Sequence, residues 1–315
     1  TYSVRKNNGT MTLYTTIGDF ALSSFSATHA IIVNKDVLAT SPVQDDIYEL
    51  VRNKEWTMDK FMEFIINTAQ ESSGNSELHW SEGDIMGWVR TSHATNGLHT
   101  ASGLPIIETN DGVMSSAIGN HLTEWDNIME TAISVWHTEG AETITYLQVQ
   151  EALSSATTLF ASEVIDVLER MKDTENVSVG LLPYPLYSES QENYAHYVDN
   201  HFYAYLVPTS VSNPTVMGEF LEVYAFHSRY LVRPAWIDAY AYDYCSDADS
   251  AEMLEIILDT RTYDPGYLWW SQYESSISGF IENSQNEITR WNERNAATIQ
   301  NDINTYVETI SSREN

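Results

Sequence analysis

Short apolar runs of strand length recur along this chain between longer stretches of helical period, and that mixture restricts it to an α/β architecture. The sharpest run, Val177 to Leu182, is stopped by Pro183 and Pro185, which have no N–H to give a sheet ladder. Residues 11–33 alternate apolar runs with Thr, Ser and Gly18, as strands separated by turns do, and a further short strand falls at 157–161. Thr57 is placed to cap a helix, with Asp59 in its first turn and Phe61, Met62, Phe64, Ile65 and Ala69 along one face. Trp56, just before the cap, pairs with Phe61 as a hydrophobic staple. Residues 70–84 are polar and read as a loop.

The remaining helices follow the same logic. Residues 115–137 predict one long amphipathic helix with Ile118, Leu122, Trp125, Ile128, Met129, Ala132, Ile133 and Trp136 on one side. A helix over 163–172 carries Val164, Ile165, Leu168 and Met171. Asn213 caps another, with Pro214 at its first position and Val216, Met217, Phe220, Leu221 and Tyr224 as its buried face. Residues 250–259 form the next, and the last 35 residues predict a polar helix with a stripe at Ile288, Trp291, Ile299, Ile303, Val307 and Ile310.

The 315 residues can bury a large core, and 9 Trp, 19 Tyr and 9 Phe supply apolar area that a disordered acidic chain lacks. Against 45 Asp and Glu stand 15 Lys and Arg, a formal net charge of −30. Such a surface repels polyanions, so nucleic acid and anionic membrane are not expected as partners. The acidity fits either the solvated surface of a secreted protein or adaptation to salty surroundings. Cys245, the single cysteine, rules out an intramolecular disulfide framework and multi-cysteine metal sites. There is no run of 18 apolar residues, and the start at Thr1 reads as a mature or truncated product. Asn8-Gly9-Thr10 and Asn176-Val177-Ser178 match the N-glycosylation pattern.

Signatures of catalysis are missing from the sequence. It contains no Gly-x-Ser-x-Gly, no phosphate-binding glycine loop with Lys, and no His-Glu-x-x-His. His196 and His201 come closest to a metal-ligand pair but lack a third partner at suitable spacing, so no metal or other cofactor is expected. Cys245 has no basic neighbour to activate its thiol and reads as structural. Paired carboxylates could serve a glycosidase, but among 45 acids nothing marks a pair, and no enzyme activity is expected.

Four stretches, in order, resemble the extracellular solute-binding proteins related to maltose-binding protein, which deliver ligands to ABC importers. Gly18-Asp19-Phe20-Ala21-Leu22-Ser23, continuing to Ile32-Val33-Asn34-Lys35-Asp36, is similar to that family's first crossing between lobes. Ile47-Tyr48-Glu49-Leu50-Val51-Arg52 with Glu55-Trp56-Thr57-Met58-Asp59-Lys60 is similar to its helix start. Gly180-Leu181-Leu182-Pro183-Tyr184-Pro185 with Ser190-Gln191-Glu192-Asn193-Tyr194 is the third stretch. Ser210-Val211-Ser212-Asn213-Pro214, Ser250-Ala251-Glu252-Met253-Leu254 and Asp264-Pro265-Gly266-Tyr267 complete the series. The resemblance implies a two-lobed, type II periplasmic-binding-protein fold. Residues 1–27 with 204–262 would form a partial first lobe, and 28–203 with 263–315 the second. Most of the usual first lobe has no counterpart here, so the resemblance leaves open a fragment, a second chain covering the incomplete lobe, or a scaffold reused without a cleft. In the loop at 70–84, Ser72, Ser73, Gly74, Asn75 and Ser76 offer too few carboxylates for the calcium site the family often has.

The resemblance implies an extracellular, cell-surface protein with a lipid anchor upstream, a carbohydrate ligand and an ABC permease as partner. A structural or surface-assembly protein on the same scaffold is the alternative. Sugars are held by aromatic faces and by amide, acid and hydroxyl groups in a cleft between lobes. By position, Phe20, Trp88, His99, Tyr203, Trp269 and Trp270 are the candidate ligand-binding residues. If Trp269 and Trp270 sit in a strand, they face opposite ways and one is free of the core.

Overall fold

The computed structural model describes residues 3–5, 11–13, 16–172, 177–208, 210–245 and 247–312. Asn8 and Asn176, the acceptors of the two glycosylation triplets, lie outside these, and the side chain of Ile310 is likewise undescribed.

A five-stranded sheet organises the chain in the order Ala141–Thr143, Met86–Arg90, Thr158–Val164, His29–Asn34 and Val179–Leu182. The first three strands pair parallel, while His29–Asn34 runs antiparallel to both of its neighbours. Alternation along each strand sends side chains to two separate core layers. Ile31, Val33, Trp88, Phe160 and Leu182 join one layer, and Ala30, Ile32, Val89, Ala161 and Leu181 the other. The first layer is covered by helices Met58–Thr68, Leu122–Trp136, Ser271–Glu282 and Ile288–Ser312, the second by Tyr146–Ser154, Val167–Met171, Arg233–Asp238 and Ala248–Asp259. The result is a three-layer α/β sandwich.

Local signals account for much of this. The Thr57 side chain accepts from the Lys60 N–H, and Trp56 meets Phe61 with ring centroids 5.7 Å apart, as a capped and stapled helix requires. That helix presses so closely on the sheet that a Cβ on Gly87 would run into the Ile65 backbone. In Ile288–Ser312 the stripe buries Ile288, Trp291, Ile299 and Ile303.

Several expectations need correcting. The helix expected at 115–137 is interrupted: Val113–Ser116 is a strand, Ala117–Asn120 a short turn of helix, and Leu122–Trp136 the long helix. Ser116 caps the short turn, and His121 (φ −129°, ψ 46°) breaks the helical path. The strand expected at 157–161 runs to Val164, so Glu163 is a strand residue and the following helix starts at Val167. Residues 11–33 include a helix, Leu22–Ser26, before the strand at His29. Trp269 ends a helix and Trp270 opens the next, so the strand argument for them fails.

The largest correction concerns Pro214–His227. Asn213 caps it as expected, its side chain accepting from the Val216 N–H, but the helix buries none of its residues. Val216, Phe220, Val223, Tyr224 and Phe226 are exposed, as are Tyr230 and Leu231 beyond it. Among the described residues Phe20 and Tyr205 meet the Tyr224 ring, while the rest of this apolar face is largely exposed. Outside the main sheet, the described strands are short: Ser3–Arg5 with Met11–Leu13, Ile107–Asn110 with Val113–Ser116, and His196–Tyr197 with Arg261–Thr262. Helix Ala248–Asp259 lies along strand Val179–Leu182, with Met253 in one core layer and Leu254, Ile257 and Leu258 in the other.

Candidate functional site

Three chain segments run side by side at one end of the sheet. Thr28 bridges Val198, and His196–Tyr197 pairs with Arg261–Thr262. The Asp199 N–H donates to the Ala27 carbonyl at 2.9 Å, and the His196 N–H to the Thr260 carbonyl at 3.0 Å. Asp19 pins this end: it accepts from Arg229 and Arg261, each at 3.1 Å, while Arg261 also donates to Ser24 Oγ at 2.8 Å. The same guanidinium lies over the Phe25 ring, 4.6 Å from its centroid.

A cavity of about 650 Å³ opens here, lined by residues that include Ser23, Ala27, His93, Tyr146, Glu163 and Asp166, together with Arg170, Asp199, His201 and Tyr203. It lies past the carboxyl ends of three parallel strands, Met86–Arg90, Ala141–Thr143 and Thr158–Val164. Open α/β sheets place ligands at such an end, because strand-to-helix turns there present short, precisely held polar groups. Tyr146 starts its helix behind Thr145, whose N–H donates to Gln148 Oε1 at 2.9 Å. The Tyr146 hydroxyl then donates to Asp166 Oδ1 at 2.9 Å, and the Arg170 guanidinium lies 4.0 Å above the Tyr146 ring.

Asp199 links the cavity to the core. It accepts from the His201 N–H at 3.1 Å and meets the His201 ring, while the buried His29 ring lies 3.9 Å away. Burial pushes the Asp199 carboxyl up, but the hydrogen bonds from His201 and the nearness of the His29 and His201 rings outweigh it, holding the group below the usual carboxylate range. Neither ring nitrogen of His29 has a hydrogen-bond partner.

Of the six candidates from sequence, the structure brings Tyr203 to this cavity, with 74% of its surface exposed. Phe20 is buried against Tyr205 and Tyr224. Trp88 is fully buried, its indole N–H donating to Ser162 Oγ at 2.8 Å. His99 is buried against Tyr267 and Trp125, and burial pushes its pKa down to about 3. Trp269 stacks on Tyr306, and Trp270 is buried beside both. Tyr146, Glu163, Asp166 and Asp199 escaped the sequence reading; their signal was a polar residue at or just past the end of an apolar run.

Other groups are engaged elsewhere. His196 accepts from the Tyr184 N–H through Nε2 and faces Thr260 Oγ1 through Nδ1, and burial pushes its pKa down to about 3. The Cys245 thiol is pushed up to about 12 by burial. In the 70–84 loop, Glu71 and Asp84 accept backbone N–H groups. A second cavity, of about 350 Å³, borders Asp264, whose oxygens accept from the N–H groups of Ile106, Ile107 and Gly266.

The fold is that of the maltose/maltodextrin-binding proteins, an α/β architecture of the periplasmic-binding-protein kind. Solved structures sharing it include the binding protein MsmE of Bacillus subtilis in an open conformation (TM-score 0.55, 12% identity, 94% of this chain and 74% of that one). The maltose/maltodextrin-binding domain MalE of Bdellovibrio bacteriovorus, bound to maltotriose, matches with a TM-score of 0.55 and 12% identity over 95% of this chain and 75% of its own. The sugar-binding protein MalE of Xanthomonas citri gives 0.57 and 10% over 91% and 71%. At such identities the likeness establishes architecture. No family model and no curated protein matches the sequence.

Proposed function

We propose that this protein captures a carbohydrate outside the cell and passes it to an ABC permease, without transforming it. The observation that carries this reading is the 650 Å³ cavity past the strand ends, where two tyrosine rings stand beside carboxylate, histidine and hydroxyl groups. Tyrosine faces suit the apolar side of a sugar ring, and carboxylates and hydroxyls suit its OH groups. The maltotriose and maltodextrin named for structures of the same fold support the same ligand class. In this reading a lipid anchor upstream holds the protein at the cell surface, and the helices of residues 233–259, packed on the main sheet, belong with residues 28–203 rather than to a first lobe.

Titration calorimetry of the full chain against a panel of oligosaccharides tests the proposal. One or more should give saturable heat, and Tyr203→Ala should weaken binding about tenfold, the cost of losing one stacking face. No heat from any glycan would end the reading. The largely exposed apolar face of Pro214–His227 favours a second one, in which copies of the protein assemble into surface arrays. Sedimentation separates the two, since a monomer at high concentration leaves no place for assembly.

A further inference from the structure

We propose that the sugar taken at this cavity is an amino sugar, its protonated amine held by Glu163 and its neighbours; this rests on the cavity being the carbohydrate site. Three carboxylates line it, Glu163, Asp166 and Asp199, against Arg170 as the one permanently charged cation. Two of the three already have partners within the protein. Asp166 takes the Tyr146 hydroxyl at 2.9 Å, and Asp199 is held by His201 with His29 behind it. Arg170 lies over the Tyr146 ring.

Glu163 differs. It is 4% exposed and accepts from the Val164 N–H at 2.8 Å. Among the described residues no Lys, Arg or His forms an ion pair with it. It lines the cavity without a protein cation against it, which leaves room for a cation brought by the ligand. A metal ion does not fit the arrangement, because among the described residues no three His, Cys, Asp or Glu side chains converge closely enough to hold one. Acceptors spread along a cavity match an extended ligand whose ammonium offers three donors to carboxylates while its ring meets tyrosine faces.

The test is calorimetry of the full chain with three tetrasaccharides on one β-1,4 backbone: glucosamine, N-acetylglucosamine and glucose. The glucosamine tetramer should bind about tenfold more tightly than the other two, the size of one charge-assisted contact. Glu163→Gln should abolish that preference, and Asp166→Asn, at a less buried position, should reduce it, with melting temperatures checking that both variants fold. Equal affinities, or tighter binding of the uncharged tetramers, would overturn the amine and leave the carbohydrate reading standing. A preference unchanged in both variants would trace to diffuse attraction by the −30 surface and would also overturn it. No heat from any of the three would remove both readings.

Discussion

His99 and His196 show how far the core reaches into residue types usually found at surfaces. Both are kept neutral by burial, with pKa values pushed down to about 3. The unfolded chain holds each near the ordinary value of about 6.5. Their contribution to stability is therefore present above about pH 6.5 and is lost as pH falls toward 3, since the unfolded state takes up protons that the native state refuses. At pH 5 this amounts to about 2 kcal/mol per histidine. The melting temperature should drop between pH 7 and pH 5, and His99→Phe should flatten the slope. An unchanged slope in that variant would mean that other groups carry the acid sensitivity. Tyr203, on the same scale, is the candidate whose face is free, while the indoles of Trp88 and Trp270 are used up in packing.

Among the elements, capped and staple-marked helices were the most legible. Thr57 and Asn213 cap helices because their side-chain oxygens meet N–H groups that the helix itself cannot satisfy, and that need depends on local sequence alone. The cavity was hidden for the opposite reason. Tyr146, Glu163 and Asp199 meet through the strand order of the sheet, and among 45 acids a carboxylate one step past an apolar run looks like any surface acid. The buried face expected for Pro214–His227 failed because period reports that a stripe exists, not that something lies against it. The segment carrying Ser23 and Ser26 is fixed by Asp19, which faces Arg229, Arg233 and Arg261. Asp19→Ala would remove the carboxylate that pairs with the buried Arg261, while Arg229 and Arg233 keep Asp259 and Glu255, and should cost about 3 kcal/mol. Chemical denaturation measures it, and a loss below about 0.5 kcal/mol would show Arg261 satisfied by the Leu258 carbonyl and the Ser24 hydroxyl.

For the whole molecule, a net charge of −30 works against compactness. Raising salt from about 0.05 M to 0.5 M shortens the screening length and should raise the melting temperature by a few degrees. A fall would mean that attractive pairs, such as those of Arg52 with Glu49 and Glu252, outweigh the general repulsion. The order of the sheet has one more effect, felt while the protein is being made. His29–Asn34 sits between Thr158–Val164 and Val179–Leu182, so Ile31 meets Ser162 on one side and Leu182 on the other. During synthesis this apolar segment leaves the ribosome before either neighbour and waits for both until residues 158–182 have followed. For that interval both of its edges are open, and pairing with another copy of the same segment competes with the native sheet.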